Sequence, residues 1–83
     1  MTTAAANGAR TFLMLPEVVE RYAGVWSKWT IYEMSRTGTI PHRKLSGRRE
    51  LLFVLADLEA WEDGAALEVR KLPKGGRIVR PAA

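Results

Sequence analysis

Ser27-Lys28-Trp29-Thr30-Ile31-Tyr32-Glu33-Met34-Ser35-Arg36-Thr37-Gly38 reads as a short helix with a start, two faces and a stop. Ser27 is placed to accept a hydrogen bond from a backbone N–H two or three residues on. Arg36 suits the negative end of the helix, and Gly38 permits the left-handed turn that ends it. Ile31, Met34 and Ser35 share one side at helical spacing, which leaves Lys28, Trp29, Tyr32, Glu33 and Arg36 on the other. That second face is large, polar-tipped and mostly cationic, a surface suited to a polyanion.

Upstream, Leu15, Val18, Val19 and Tyr22 recur at i, i+3, i+4 and i+7 and predict a first helix of about two turns. Pro16 fits its opening turn, Glu17 and Glu20 sit toward its positive end, and Ala23-Gly24 closes it. Val25-Trp26 then bridges to Ser27, so the order is helix, short Gly-containing turn, second helix. Downstream, Pro41 forces Ile40 into extended geometry and keeps the helix from resuming. His42 to Leu45 and Arg48 to Val54 flank Ser46-Gly47 and predict a β-hairpin whose tip carries Arg43, Lys44, Arg48 and Arg49. In its returning strand Leu51 and Phe53 share the face that packs on the helices, and Leu52 and Val54 share the other.

Asp57 is expected to open a third helix, with Leu58 and Trp61 inward, Glu59, Glu62 and Asp63 outward, and Gly64 at its end. Tyr22, Trp26, Phe53 and Trp61 are assigned to the core or its rim. The two ends carry less pattern. Met1 to Arg10 offers no apolar face to bury and is expected to be mobile. Leu67 to Leu72 is too short for its period to choose between strand, helix and disorder. The organisation expected is α+β, with a mobile arm at 1–12, a domain at 13–63 and a basic tail at 64–83.

With 83 residues the chain has room for one modest core, and a domain of this size buries about 60% of the surface its unfolded chain exposes. The absence of cysteine excludes disulfides and thiolate metal sites and accords with a reducing compartment. The longest apolar run, Leu51 to Ala56, falls far short of the roughly 20 residues that span a bilayer. The N-terminus has no charged segment followed by an apolar one. A cytoplasmic protein with no membrane partner is expected.

The net charge of +4 and pI near 10 point to an anionic partner, and the charge is zoned. Residues 21–49 hold seven basic side chains against Glu33, a balance of +6, whereas residues 50–63 hold five acidic and no basic ones, a balance of −5. Residues 64–83 return to +4, with five basic residues against Glu68. The acidic zone is expected to face away from a polyanion. Ser27, Ser35 and Ser46 have no evident activating base, and His42 has no second His or Cys beside it for a metal. No enzymatic activity, cofactor, metal or small-molecule substrate is expected, and His42 is read as a phosphate contact, a hairpin contact, or neither.

Taken together, several short marks in order resemble the excisionase and recombination-directionality-factor family, small winged helix-turn-helix proteins distantly related to the MerR-type DNA-binding domain. The marks are Glu17-Val18, then Ser27 with Thr30-Ile31-Tyr32, then Gly38-Thr39-Ile40-Pro41. Lys44 with Gly47-Arg48-Arg49 and Asp57-Leu58-Glu59-Ala60-Trp61 complete the set. The resemblance covers roughly residues 13–63 and implies three short helices with a two-stranded hairpin wing. It implies a function as well: the second helix enters the DNA major groove, the wing lies on the backbone or minor groove, and attachment-site DNA is bent so that an integrase excises a mobile element. Carried over, Ser27, Lys28, Trp29, Thr30, Tyr32, Glu33 and Arg36 fall on the groove helix, and Arg48 and Arg49 on the wing tip beside Arg43 and Lys44.

On this reading Lys28 and Arg36 reach phosphates or guanine acceptors, Tyr32 bonds a phosphate oxygen and Glu33 accepts from a cytosine amino group. The chain departs from the family at Met14, where a capping Thr or Ser is usual, at the apolar Val54-Leu55-Ala56, and at the bulky Trp29. Val54 and Leu55, together with the apolar tail residues Leu67, Val69, Ile78 and Val79, suggest a surface for self-association of protomers on adjacent DNA sites, and the alternative is a tail folded back on its own hairpin. Trp29 is a typical protein-interface anchor. It therefore supports a rival of another class, an antiactivator that binds a transcriptional regulator, and a simple transcriptional repressor is the third reading.

Overall fold

The computed structural model describes residues 10–82. In chain order the elements are β1 (Phe12–Met14), α1 (Leu15–Arg21), α2 (Lys28–Thr37), β2 (His42–Leu45), β3 (Leu51–Val54), α3 (Leu55–Glu62), β4 (Leu67–Lys71) and β5 (Gly76–Pro81). The strands form one antiparallel sheet in the order β1-β3-β2-β5-β4. The α+β class is as expected, but the two-stranded hairpin is a five-stranded sheet. Phe12, expected in the arm, begins β1 opposite Val54, and the tail supplies β4 and β5, with His42 opposite Val79. Of the arm expected to be mobile, residues 1–9 lie outside the described residues.

Local chemistry accounts for the helix ends. The Ser27 Oγ accepts from the Thr30 N–H at 3.2 Å, and Gly38 stops α2 at φ 77°. At α1 the residue before the helix is Met14, which offers no capping oxygen, and Glu17 Oε1 instead accepts from the Met14 N–H at 2.8 Å. Helix α3 begins at Leu55, two residues ahead of the expected Asp57. The Leu55 N–H, which would otherwise be an unpaired helix-end donor, is taken by the Thr11 carbonyl at 3.0 Å. The β2–β3 connection also runs longer than expected. Ser46 and Gly47 make the turn, but pairing resumes only at Lys44 opposite Leu51, so Arg48, Arg49 and Glu50 stand outside the ladder.

The core lies between the helices and one sheet face: Val18, Tyr22, Ile31, Ile40, Phe53 and Leu58 are buried together, with Leu13, Leu51, Met34, Trp26 and Trp61 at the rim. Phe53 and Leu51 do share the helix-facing pleat. Tyr22, Trp26 and Trp61 form an aromatic corner with ring centroids 5.1 to 6.3 Å apart. Beside it Glu62, expected to face outward, is held by Arg21 through two bonds of 2.8 Å and by the Tyr22 hydroxyl at 2.6 Å. Arg21 first, then Tyr22, keep the Glu62 carboxyl below its usual range, while burial and then Glu62 push the Tyr22 phenol up to about 12. Among the described residues no helix is long and apolar enough to cross a membrane.

Candidate functional site

Helix α2 turns Ile31 and Ser35 into the core and leaves Lys28, Trp29, Thr30, Tyr32, Glu33 and Arg36 exposed. Trp29 is 76% exposed and meets the Tyr32 ring edge-on at 6.2 Å. Not every exposed group is free. Ser27 and Thr30 satisfy one another through the cap, their side-chain oxygens 3.1 Å apart. Glu33 grips Arg36 through two bonds of 2.9 Å, which holds the Glu33 carboxyl below its usual range. Among the described residues Lys28, the Trp29 indole N–H, the Tyr32 hydroxyl and the outer edge of the Arg36 guanidinium remain unengaged along this face.

Beside α2 stands the β2–β3 loop. Lys44 braces it by donating to the carbonyls of Arg48 and Arg49, the latter at 3.1 Å. Arg48 leans on Glu50 at 3.2 Å, whereas the Arg49 side chain makes no hydrogen bond among the described residues. Arg43, expected with these cations, is not among them. It neighbours Lys44 in sequence and so lies on the opposite pleat, between Leu52 and Ile78. There its Nε is buried and unpaired among the described residues. Burial, then Arg10, lower its pKa, Asp57 opposes them and Arg80 adds to the lowering.

Between α2 and the loop lies a cavity of about 130 Å³ lined by Tyr32, Ser35, Arg36, Lys44, Arg49, Leu51 and Arg77. Four of these residues are cationic and none is a carboxylate. Arg77 was not expected here, since it belongs to the tail, and only the pairing of β5 with β2 brings it to α2. Its Nη2 donates to the Ser35 carbonyl at 2.9 Å and its Nε to His42 Nε2 at 3.1 Å. The run Arg77-Ile78-Val79-Arg80 carries no local signal that would have placed it there. No family model, curated protein or solved structure matches the chain.

His42 is 1% exposed. Its Nδ1 donates to the Ile40 carbonyl at 2.8 Å, which leaves Nε2 as the acceptor for Arg77 and requires the neutral ring. Burial is the main cause lowering its pKa below 6.5, Ile40 opposes it and Arg77 adds to it. Because the unfolded chain binds the proton more readily, this contribution to stability is present above pH 6.5 and is lost as pH falls through the lower folded value. The chain has one histidine, so its imidazole signals can be followed by NMR without ambiguity. A titration midpoint below 6.5, with denaturation stability declining as the ring protonates, is the expected result, and a midpoint at or above 6.5 would contradict it.

A second, apolar hollow beside α2 is lined by Leu15, Lys28, Trp29 and Tyr32 and measures about 370 Å³. Val54 is 3% exposed and Leu55 is half-buried, so the self-association surface expected at these residues is largely consumed within the fold.

Proposed function

We propose that the protein binds double-stranded DNA as a winged helix-turn-helix excisionase, with α2 in the major groove and the β2–β3 loop as the wing on the backbone. The observation that carries the reading is the carboxylate-free cavity where Arg36, Lys44, Arg49 and Arg77 converge beside the exposed face of α2. Arg36 shares its charge with Glu33, but Lys44, Arg49 and Arg77 have no carboxylate partner among the described residues, and the repulsion among them is relieved by a polyanion. The acidic side chains of α3 belong to a different helix, packed through Leu58 into the core. The protein acts without catalysis, in the cytoplasm, as an architectural factor that bends attachment-site DNA for an integrase. Self-association on repeated sites would use a surface other than Val54.

Binding to attachment-site duplex over a salt series tests this. With four to six phosphates contacted, log affinity falls against log salt with a slope of roughly −4 to −5. Lys28→Ala makes the slope shallower by about one across unrelated sequences. No binding at low salt would end the proposal.

A second reading keeps its place because of one observation: Trp29, 76% exposed, edges an apolar hollow with Leu15 and Tyr32. This is the form of a protein-binding anchor and suits an antiactivator that grips a transcriptional regulator. If Trp29→Ala abolishes capture of a regulator while DNA binding is absent in the parent protein, that reading replaces the first. A plain repressor would share the chemistry of the first reading and differ only in the site bound.

A further inference from the structure

We propose that the cavity between α2, the β2–β3 loop and β5 is a seat for one phosphate group, with Arg77 of the C-terminal hairpin as its preorganised floor. The inference rests on the DNA reading for the source of that phosphate, a backbone diester, but not for the chemistry of the seat. Arg77 carries five N–H donors. Two are spent on Ser35 and His42, and those two bonds hold the guanidinium from the helix side and from the sheet side. The remaining donors, on the other edge of the planar fork, are available to the cavity that Arg77 lines.

The other groups divide the work. Lys44 spends donors on the Arg48 and Arg49 carbonyls and so shapes the loop, with one ammonium donor left. Arg49 has no side-chain bond among the described residues and can swing onto a bound oxyanion. The Tyr32 hydroxyl can donate to the same oxyanion. Arg36 is half-neutralised by Glu33 and adds field more than contact. A fork fixed on both sides loses little conformational freedom when it binds, whereas a free surface arginine must be ordered first. Hence Arg77, which is remote in sequence from the helix and the loop, joins them in a single site.

The test has two arms, each run on the full chain and on Arg49→Gln, a change in an exposed loop that removes no bond of the fold, and on Arg77→Lys, which keeps the charge but loses the fork. In the first arm, inorganic phosphate is titrated against chloride at matched ionic strength, with backbone amides followed by NMR. Saturable shifts at Arg36, Lys44, Arg49 and Arg77, specific to phosphate and weakened several-fold in both variants, support the seat. Shifts equal to those in chloride, or scattered over the surface, overturn it. In the second arm, the salt slope for duplex DNA becomes shallower by about 0.9 in Arg49→Gln if the seat holds a backbone phosphate. Phosphate binding without that change overturns the backbone source. Saturable phosphate binding with no DNA binding at all supports the seat while overturning the DNA reading.

Discussion

Gly76→Ala is expected to detach the C-terminal hairpin from the rest of the sheet and to lower stability by more than about 2 kcal/mol, which for a domain of this size is a fall in Tm of about 10 °C or more. Gly76 opens β5 opposite Leu45 with φ at 90°, a backbone that L side chains rarely adopt. An added Cβ would stand 2.2 Å from the Lys44 carbonyl oxygen and 3.0 Å from the Ser46 nitrogen. Both are backbone atoms in a paired strand and its turn, so neither can rotate aside. The strain is relieved only by parting β2 from β5.

That separation takes Val79 out of the core and Arg77 away from Ser35 and His42. Gly64→Ala is the control. Its φ of 98° is similarly strained, but an added Cβ meets nothing within 4 Å, so it should cost only the backbone term of about 1 kcal/mol. Hydrogen exchange of the β4 and β5 amides and thermal denaturation of both variants decide the matter. Equal losses in the two would show that the close approach at Lys44 has no energetic weight.

Phe53→Ala carries the second large effect, a loss of about 3–5 kcal/mol. Phe53 is fully buried and is the largest side chain on the helix-facing pleat, among Val18 of α1, Tyr22 at its end, Ile31 of α2 and Leu58 of α3. Removing it opens a cavity where all three helices meet the sheet. A small domain has about 5–15 kcal/mol in all, so the variant should show a substantial unfolded fraction or a much reduced urea midpoint. Leu52→Ala, one residue away but on the opposite pleat and only half-buried, should lose clearly less. A reversed order would mean that β3 presents the other pleat to the helices.

The sequence by itself determined the parts of this protein whose physics is local. Ser27 caps α2 and Gly38 ends it through groups only a few residues apart, and the i, i+3, i+4 spacing of Leu15, Val18, Val19 and Tyr22 repeats within two turns of one helix. The core assignment of Phe53 and Tyr22 followed from the same short-range periods. The cations of α2 and Arg48 and Arg49 of the loop were legible because charge zoning is a property of composition along the chain.

Only the tertiary structure decided which remote segments pair. Leu67 to Leu72 had no readable period because what makes it a strand is β5, and what brings β5 to the sheet is β2. The same pairing moved Arg77 from a basic tail to the centre of the candidate site. Arg43 and Lys44 are neighbours in sequence, yet pleating sends them to opposite faces. Glu62 is exposed, as its helix position implies, but its partners Arg21 and Tyr22, some 40 residues earlier, could not be read from that position. His42, left open between a phosphate contact, a hairpin contact and neither, is a buried neutral acceptor for Arg77. For β4, β5, Arg77 and Glu62 the deciding hydrogen bonds join residues far apart in the chain, and a local pattern of side chains carries no record of them, whereas the split of Arg43 from Lys44 is the two-residue period of a single strand.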